Sequence, residues 1–382
     1  MAAYVVPRAR RRPYAARDGT HRATPTGAGR EGRSGRGPSA VDDAVGAMTA
    51  LLIAVAVAFA WSMGSHYTGA CMGMPYALGA LSAWRALVIM APLTLLGATF
   101  ASHGVERTVA RLTTVPLRTA AEIVVVGVAF AVTTLYNRIR IPTSTIQILV
   151  FSLAGTALGA GVGVRWGRVG LLAVIWLVAP VVAAALGFAL TKGFDRVPAL
   201  REEAPRTSPG DGSGRATLRP LRRTDEVVRW ALVTVGAAAS FTMGGNDVAN
   251  ATGALVATGT FSVLVAGAVG GAGLGLGVLT WGKPLLNRVA FDIVTLDRPM
   301  ATAAQAVQAI VVLVAVGFGF FTSMNQALVG ALAGTGAARG RRTVHRSTFL
   351  GILRGWALGP AAGLGIAFAA SRLLVAAGVA LR

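Results

Sequence analysis

An acid and two amides stand inside a glycine-rich apolar run at Gly244-Gly245-Asn246-Asp247-Val248-Ala249-Asn250. An unpaired carboxylate in hydrocarbon is costly, so Asp247 requires a cation, a proton or a donor beside it. Asn246, Asp247 and Asn250 offer hard oxygen ligands, and positions 247 and 250 fall one turn apart on a helix face. The glycine pair would let the helix unwind there and free backbone carbonyls. The competing reading is close helix packing with an interhelical amide hydrogen bond. Two further segments, Pro142-Thr143-Ser144-Thr145 and Phe321-Thr322-Ser323-Met324-Asn325-Gln326, resemble helix starts, because hydroxyls suit N-caps and proline suits a first turn. A helix that begins inside a membrane aims bare amides and its positive dipole end inward, and two such ends would cradle an anion. Alternatively, these hydroxyls bond back to carbonyls within ordinary spans. Glu122 and Gln305 hold matching places just inside a span, which makes Glu122 a coupling-proton carrier or an interfacial charge. His66 is a proton-coupling group or a helix contact, since imidazole titrates near neutral pH.

The elements that must position these groups are membrane helices. Hydrophobic residues make up 54% of the 382 and charged residues only 13%, with mean hydropathy +0.62, too little charge to cover a soluble globule. Apolar stretches follow one another from about Asp42, separated by short Arg-bearing loops. Some are too short or too glycine-rich to span alone, which points to discontinuous or re-entrant helices. The 49 glycines suit helices that pack through small residues. The net charge of +21 sits in the first 40 residues, the middle segment and the loops, and reads as topology signal and lipid contact rather than a nucleic-acid surface. A lone cysteine, Cys71, excludes an intrachain disulfide, and four scattered histidines form no paired-His metal motif.

Residues 1–40 are rich in Arg, Pro, Gly and Ser and are expected to be disordered; initiation at Met48 would remove all of them. Residues 41–191 and 229–382 form two membrane repeats, joined by a solvated linker at 192–228. The repeat is visible at a shift of 180: Phe59-Ala60-Trp61-Ser62-Met63-Gly64-Ser65 falls on Ala239-Ser240-Phe241-Thr242-Met243-Gly244-Gly245, and Trp176 to Pro180 falls on Trp356 to Pro360. Thr143 to Val150 matches Thr322 to Val329 one residue short of that shift. Duplicated membrane halves are a transporter signature, with the substrate site near the midplane between them.

Gly244 to Ala251, GGNDVANA, resembles the Asn-Asp signature of the inorganic phosphate transporter (PiT) family, and the segments at 142–147 and 321–340 resemble its hairpin starts. The resemblance covers about residues 45–380 and implies two inverted repeats, an oxyanion held between hairpin tips and cations at the Asn-Asp motifs. Residue by residue, it assigns Asn246, Asp247 and Asn250 to the coupling cation and the lining of the anion site, which Thr143, Ser144, Thr145, Thr322 and Ser323 would cap; the reading of the residues themselves adds Asn325 to the anion site and Glu122 and His66 to cation coupling. The chain departs from the pattern at His66-Tyr67-Thr68-Gly69-Ala70, where the first repeat lacks Asn-Asp-x-x-Asn, and at Gln147 and Gln326, where the family has histidine. Stretches such as SMGSHYTGACMGMPYALGALS are similar to the sulfate permease branch of that family.

The expectation is therefore an all-α polytopic protein of the cell membrane, with two inverted-topology repeats and broken or re-entrant helices. It would be a permease for inorganic phosphate coupled to a proton or sodium, with sulfate as the alternative and a membrane enzyme or scaffold as remote ones. Asp247 favours phosphate, whose protonated oxygen donates to a carboxylate where sulfate is repelled. No catalytic residue, cofactor or metal beyond transported sodium is expected, and no nucleic acid; a homodimer is compatible with the sequence.

Overall fold

The computed structural model describes residues 40–139, 143–196, 226–292, 297–340 and 346–382. The expected disordered extension, Pro142 and most of the linker lie outside the described residues. The chain divides into Met1–Asp43 and Ala44–Arg382, and the second unit contains both repeats.

The first repeat runs α1 (Ala40–His66), α2 (Thr68–Ala77), α3 (Ala83–Ala101), α4 (His103–Val109), α5 (Thr119–Arg138), α6 (Thr145–Gly159) and α7 (Trp166–Phe194). The second runs α8 (Glu226–Ala257), α9 (Val263–Trp281), α10 (Lys283–Asp292), α11 (Arg298–Gly317), α12 (Met324–Ala338) and α13 (Arg346–Ala376). The order is the same in both halves, with α8 standing for α1 and α2 together. The duplication extends to local punctuation. Gly79 and Gly259 turn the chain with φ near +70°, which glycine adopts without a Cβ clash. Three residues later, Ser82 and Ser262 accept the backbone N–H of Arg85 and Val265 and start α3 and α9.

Among the described residues, eight helices are long and apolar enough to cross a membrane, and the protein is a multi-pass membrane protein. Their outer faces carry Leu177, Val181 and Leu373, each more than two-thirds exposed, a surface that lipid covers and water would not. The helices α6 and α12 have 15 residues each, about 22 Å of helix, short of a hydrocarbon core of about 30 Å. Both nevertheless lie largely buried.

Each short helix packs against the last helix of the other half: α6 on α13, and α12 on α7. Glycines allow this. A Cβ on Gly330 or Gly334 would lie 2.1 Å from Pro180 O or 1.8 Å from Ala184 O, and one on Gly155 would lie 2.2 Å from Leu364 O. Likewise α3 packs against α8 as well as α9, so the halves interlock. The expected unwinding at Gly244-Gly245 does not occur, because α8 is one uninterrupted helix. Those glycines instead admit α3: a Cβ on Gly244 would lie 2.0 Å from Thr94 O. The break falls in the first repeat, where Tyr67 separates α1 from α2.

Gly97 of α3 tests this packing, since its Cβ would lie 1.8 Å from Phe241 O, whereas nothing lies within 4 Å of a Cβ on Gly170. Gly97→Ala should destabilise by about 1–3 kcal/mol despite alanine's higher helix propensity, and Gly170→Ala should not. Thermal unfolding in detergent, followed by monodispersity on gel filtration, separates the two.

Candidate functional site

The helices α6 and α12 begin inside the protein, and each must satisfy its first amides without water. Ser144 and Ser323 do this as N-caps, accepting the N–H of Gln147 and Gln326 at 3.4 Å each. The residue before each cap exposes its own backbone, and a side chain from the other elements takes it. Thr322 N–H donates to Asn246 Oδ1 at 3.0 Å, while Asn246 Nδ2 donates to Thr322 O at 2.9 Å, a two-point clamp. In the first repeat His66 stands in the place of Asn246, with Nε2 3.2 Å from Thr143 O and 3.5 Å from Thr143 N.

The two tips meet. Asn325, in the first turn of α12, donates to Thr143 O at 2.8 Å and stands 3.3 Å from His66 Nε2. Beside this contact, Asp247 is fully buried and accepts from Asn246 Nδ2 at 3.0 Å and Asn250 Nδ2 at 3.4 Å. Tyr67 and Thr145 hydroxyls also bond to it, and they lie 2.7 Å from each other. Asn250 Nδ2 reaches Thr145 Oγ1 at 3.4 Å, while Asn250 Oδ1 is buried without a donor. Buried acceptors of this kind also occur at Gln147 Oε1 and Gln326 Oε1, and the Thr322 hydroxyl is unpartnered too. Unsatisfied oxygens inside a membrane protein invite a cation or a donor-bearing ligand.

Of the residues singled out in the sequence, His66, Thr143, Thr145, Asn246, Asp247, Asn250, Thr322 and Asn325 share one buried cluster, with Ser144 and Ser323 capping beneath it. Glu122 is different: it is buried on α5, fifteen positions before Asn137 and so about 22 Å along the helix, with no hydrogen bond from its side chain to the cluster. Its counterpart Gln305 holds the carbonyls of Ala70 and Cys71.

Two groups escaped the sequence reading. Asn137 lies at the end of α5, and its Oδ1 meets His66 Nδ1 while its Nδ2 donates to Ser62 O at 2.9 Å. An amide one residue from an interfacial arginine looks like ordinary span-end polarity, so only the fold reveals it. The second is Glu106 on α4, between two spans, which accepts from Thr252 at 3.1 Å and Ser102 at 3.4 Å and leaves Oε2 without a partner. Burial pushes its carboxyl up to about 7, with those hydroxyl bonds opposing the shift.

A groove between α7 and α11 reaches Thr322, but Val174, Val178, Val182, Val314 and Phe320 line it. It opens among lipid-facing residues and offers a charged solute nothing, so the polar chemistry belongs to the buried cluster.

With that geometry in place, comparison with known proteins gives a family. The sequence matches the phosphate transporter family over residues 63–367, most of the chain, and the protein belongs to that family. A Pyrococcus abyssi protein named "Putative phosphate permease" is 24% identical over 384 residues, covering 82% of this chain and 95% of its own. The Bacillus subtilis sulfate permease CysP is 24% identical over 317 residues, covering 81% and 83%. A solved structure, "The sodium-dependent phosphate transporter", superposes with a TM-score of 0.75 at 20% identity, covering 86% of this chain and 99% of that one. The fold is that of this structure.

Glu106 makes stability pH-dependent in a stated direction. Its ordinary value is 4.5 and its folded value about 7, so the folded state holds the proton more tightly. Its contribution is fully present below pH 4.5 and is lost as pH rises through about 7, at about 1.4 kcal/mol per pH unit at most. Glu106→Gln should flatten the fall in thermal midpoint across that window, measured by unfolding in detergent at a series of pH values.

Proposed function

We propose that the protein is a secondary transporter that carries inorganic phosphate across the membrane, coupled to sodium. The observation that carries this reading is the meeting of two mid-protein helix starts, at Asn325 and Thr143, beside the buried carboxylate of Asp247. Two helix N-termini attract an anion, and Asp247 with the donorless Asn250 Oδ1 supplies hard oxygens for a small cation. Neutralising each charge with the other lets both enter a medium that rejects either alone. Family membership supports phosphate, and the sodium named for the superposed structure supports that coupling ion here.

The anion is read as a protonated phosphate held by Thr143, Thr145, Thr322, Asn325 and the tip amides. The unpartnered acceptors at Gln147 and Gln326 suit a phosphate hydroxyl, which sulfate lacks. Ser144 and Ser323 act as caps that fix the tips. The reciprocal packing of α6 on α13 and α12 on α7 supports inverted halves that rock against one another.

The test is uptake of labelled phosphate by the full-length protein in lipid vesicles. A sodium gradient should drive uptake that arsenate competes and sulfate does not. Asp247→Asn should lower it about a hundredfold, the scale of about 3 kcal/mol for a lost buried charge interaction. Equal competition by sulfate, or uptake indifferent to sodium, would overturn the assignment of anion or cation respectively.

A further inference from the structure

The two tips are held by different chemistry, although the halves match in sequence position. Thr322 is held by Asn246, an amide that offers a donor and an acceptor at once and never changes charge. Thr143 is held by a single imidazole nitrogen, His66 Nε2, which either donates or accepts according to its proton.

The surroundings determine which. Asn137 Nδ2 faces Ser62 O, which can only accept, and also the hydroxyls of Ser62 and Ser65, at 2.9, 3.0 and 3.4 Å. Asn137 therefore presents its oxygen to His66 Nδ1, and the neutral ring carries its proton on Nδ1. Nε2 is then an acceptor, and Thr143 N–H faces it at 3.5 Å. Asn325 Nδ2, whose other hydrogen goes to Thr143 O, shares that acceptor at 3.3 Å. Neutral His66 thus takes an amide hydrogen from each tip. A proton on Nε2 reverses the contact: the nitrogen donates to Thr143 O, and the Asn325 amide meets a donor where it had an acceptor.

We infer that His66 is a proton site belonging to the first repeat, standing where the second repeat has an amide, and that its protonation replaces the donations it accepts from Asn325 and Thr143 N–H with one donation of its own to Thr143 O. Resting on the proposed transport reading, this gives the cycle one proton at His66 beside the cation at Asp247. The titratable group nearest the ring is Tyr67, edge-on with centroids 5.1 Å apart, and behind it Asp247 of α8 bonds to the Tyr67 hydroxyl. From α5 the contact is Asn137, flanked by buried Tyr136 and exposed Arg138; α6 and α12 bring Thr143 and Asn325.

Nitrogen NMR of histidine- and asparagine-labelled full-length protein in lipid nanodiscs reads this without any substrate. His66→Asn assigns the ring signals. As pH is lowered from about 8, Nε2 should pass from the pyridine-like to the pyrrole-like position, and the Asn325 side-chain amide should shift with the same midpoint. Asn137→Leu, by removing the acceptor at Nδ1, should move part of the neutral ring to the Nε2–H form, a change that a merely structural amide would not produce. A ring that keeps one form down to the lowest pH at which the protein stays folded, or an Asn325 amide that ignores the ring's titration, would overturn the inference. Because no phosphate is present, titration with the linked shift stands even if vesicles fail to take up phosphate, and failure of that uptake counts only against the transport reading.

Discussion

A helix that starts inside a membrane creates an obligation at its first turn. Its leading amides, and the backbone of the residue before them, have no water to bond. In this protein both short helices, α6 and α12, carry that obligation, and a small set of buried polar residues answers it. Ser144 and Ser323 close the first turns, and His66 and Asn246 take Thr143 and Thr322. The central cluster follows from that arrangement, because groups long enough to reach the two tips from α1 and α8 necessarily converge where the tips meet.

Convergence needs backbones that approach closely, and glycine supplies the room. Gly330 and Gly334 of α12 lie against carbonyls of α7, Gly155 of α6 against one of α13, and Gly244 of α8 against α3. Because each short helix leans on the far half, the repeats brace each other's tips. A small relative movement of the halves would therefore act on both tips together, as the proposed transport cycle requires.

The same symmetry brings out the places where the halves differ. One half keeps Asn246, Asp247 and Asn250 on an unbroken helix; the other has His66 and Tyr67 at a break between two helices. Tyr67 nevertheless reaches across to Asp247, so the altered motif serves the intact one instead of duplicating it. Glu106 repeats the theme away from the tips, tying α4 to Thr252 only two positions beyond Asn250.

The sequence by itself determined the class and much of the wiring. Span lengths, the scarcity of charge and the repeat gave an all-α membrane protein in two copies, because the cost of burying polar backbone and charge leaves few alternatives. The hydroxyl pairs marked both helix starts, since capping is local chemistry. Only the tertiary structure decided who meets whom. The glycines before Asn246 read as a hinge and proved to be a packing surface, a difference set by a helix from distant sequence. Glu122 and His66 looked alike as buried ionisable candidates, yet His66 lies between the tips and Glu122 about 22 Å along α5 from Asn137. Asn137 carried no signal of its own, because its role depends on the direction of its amide, and that direction is fixed by a carbonyl seventy-five residues away in the chain.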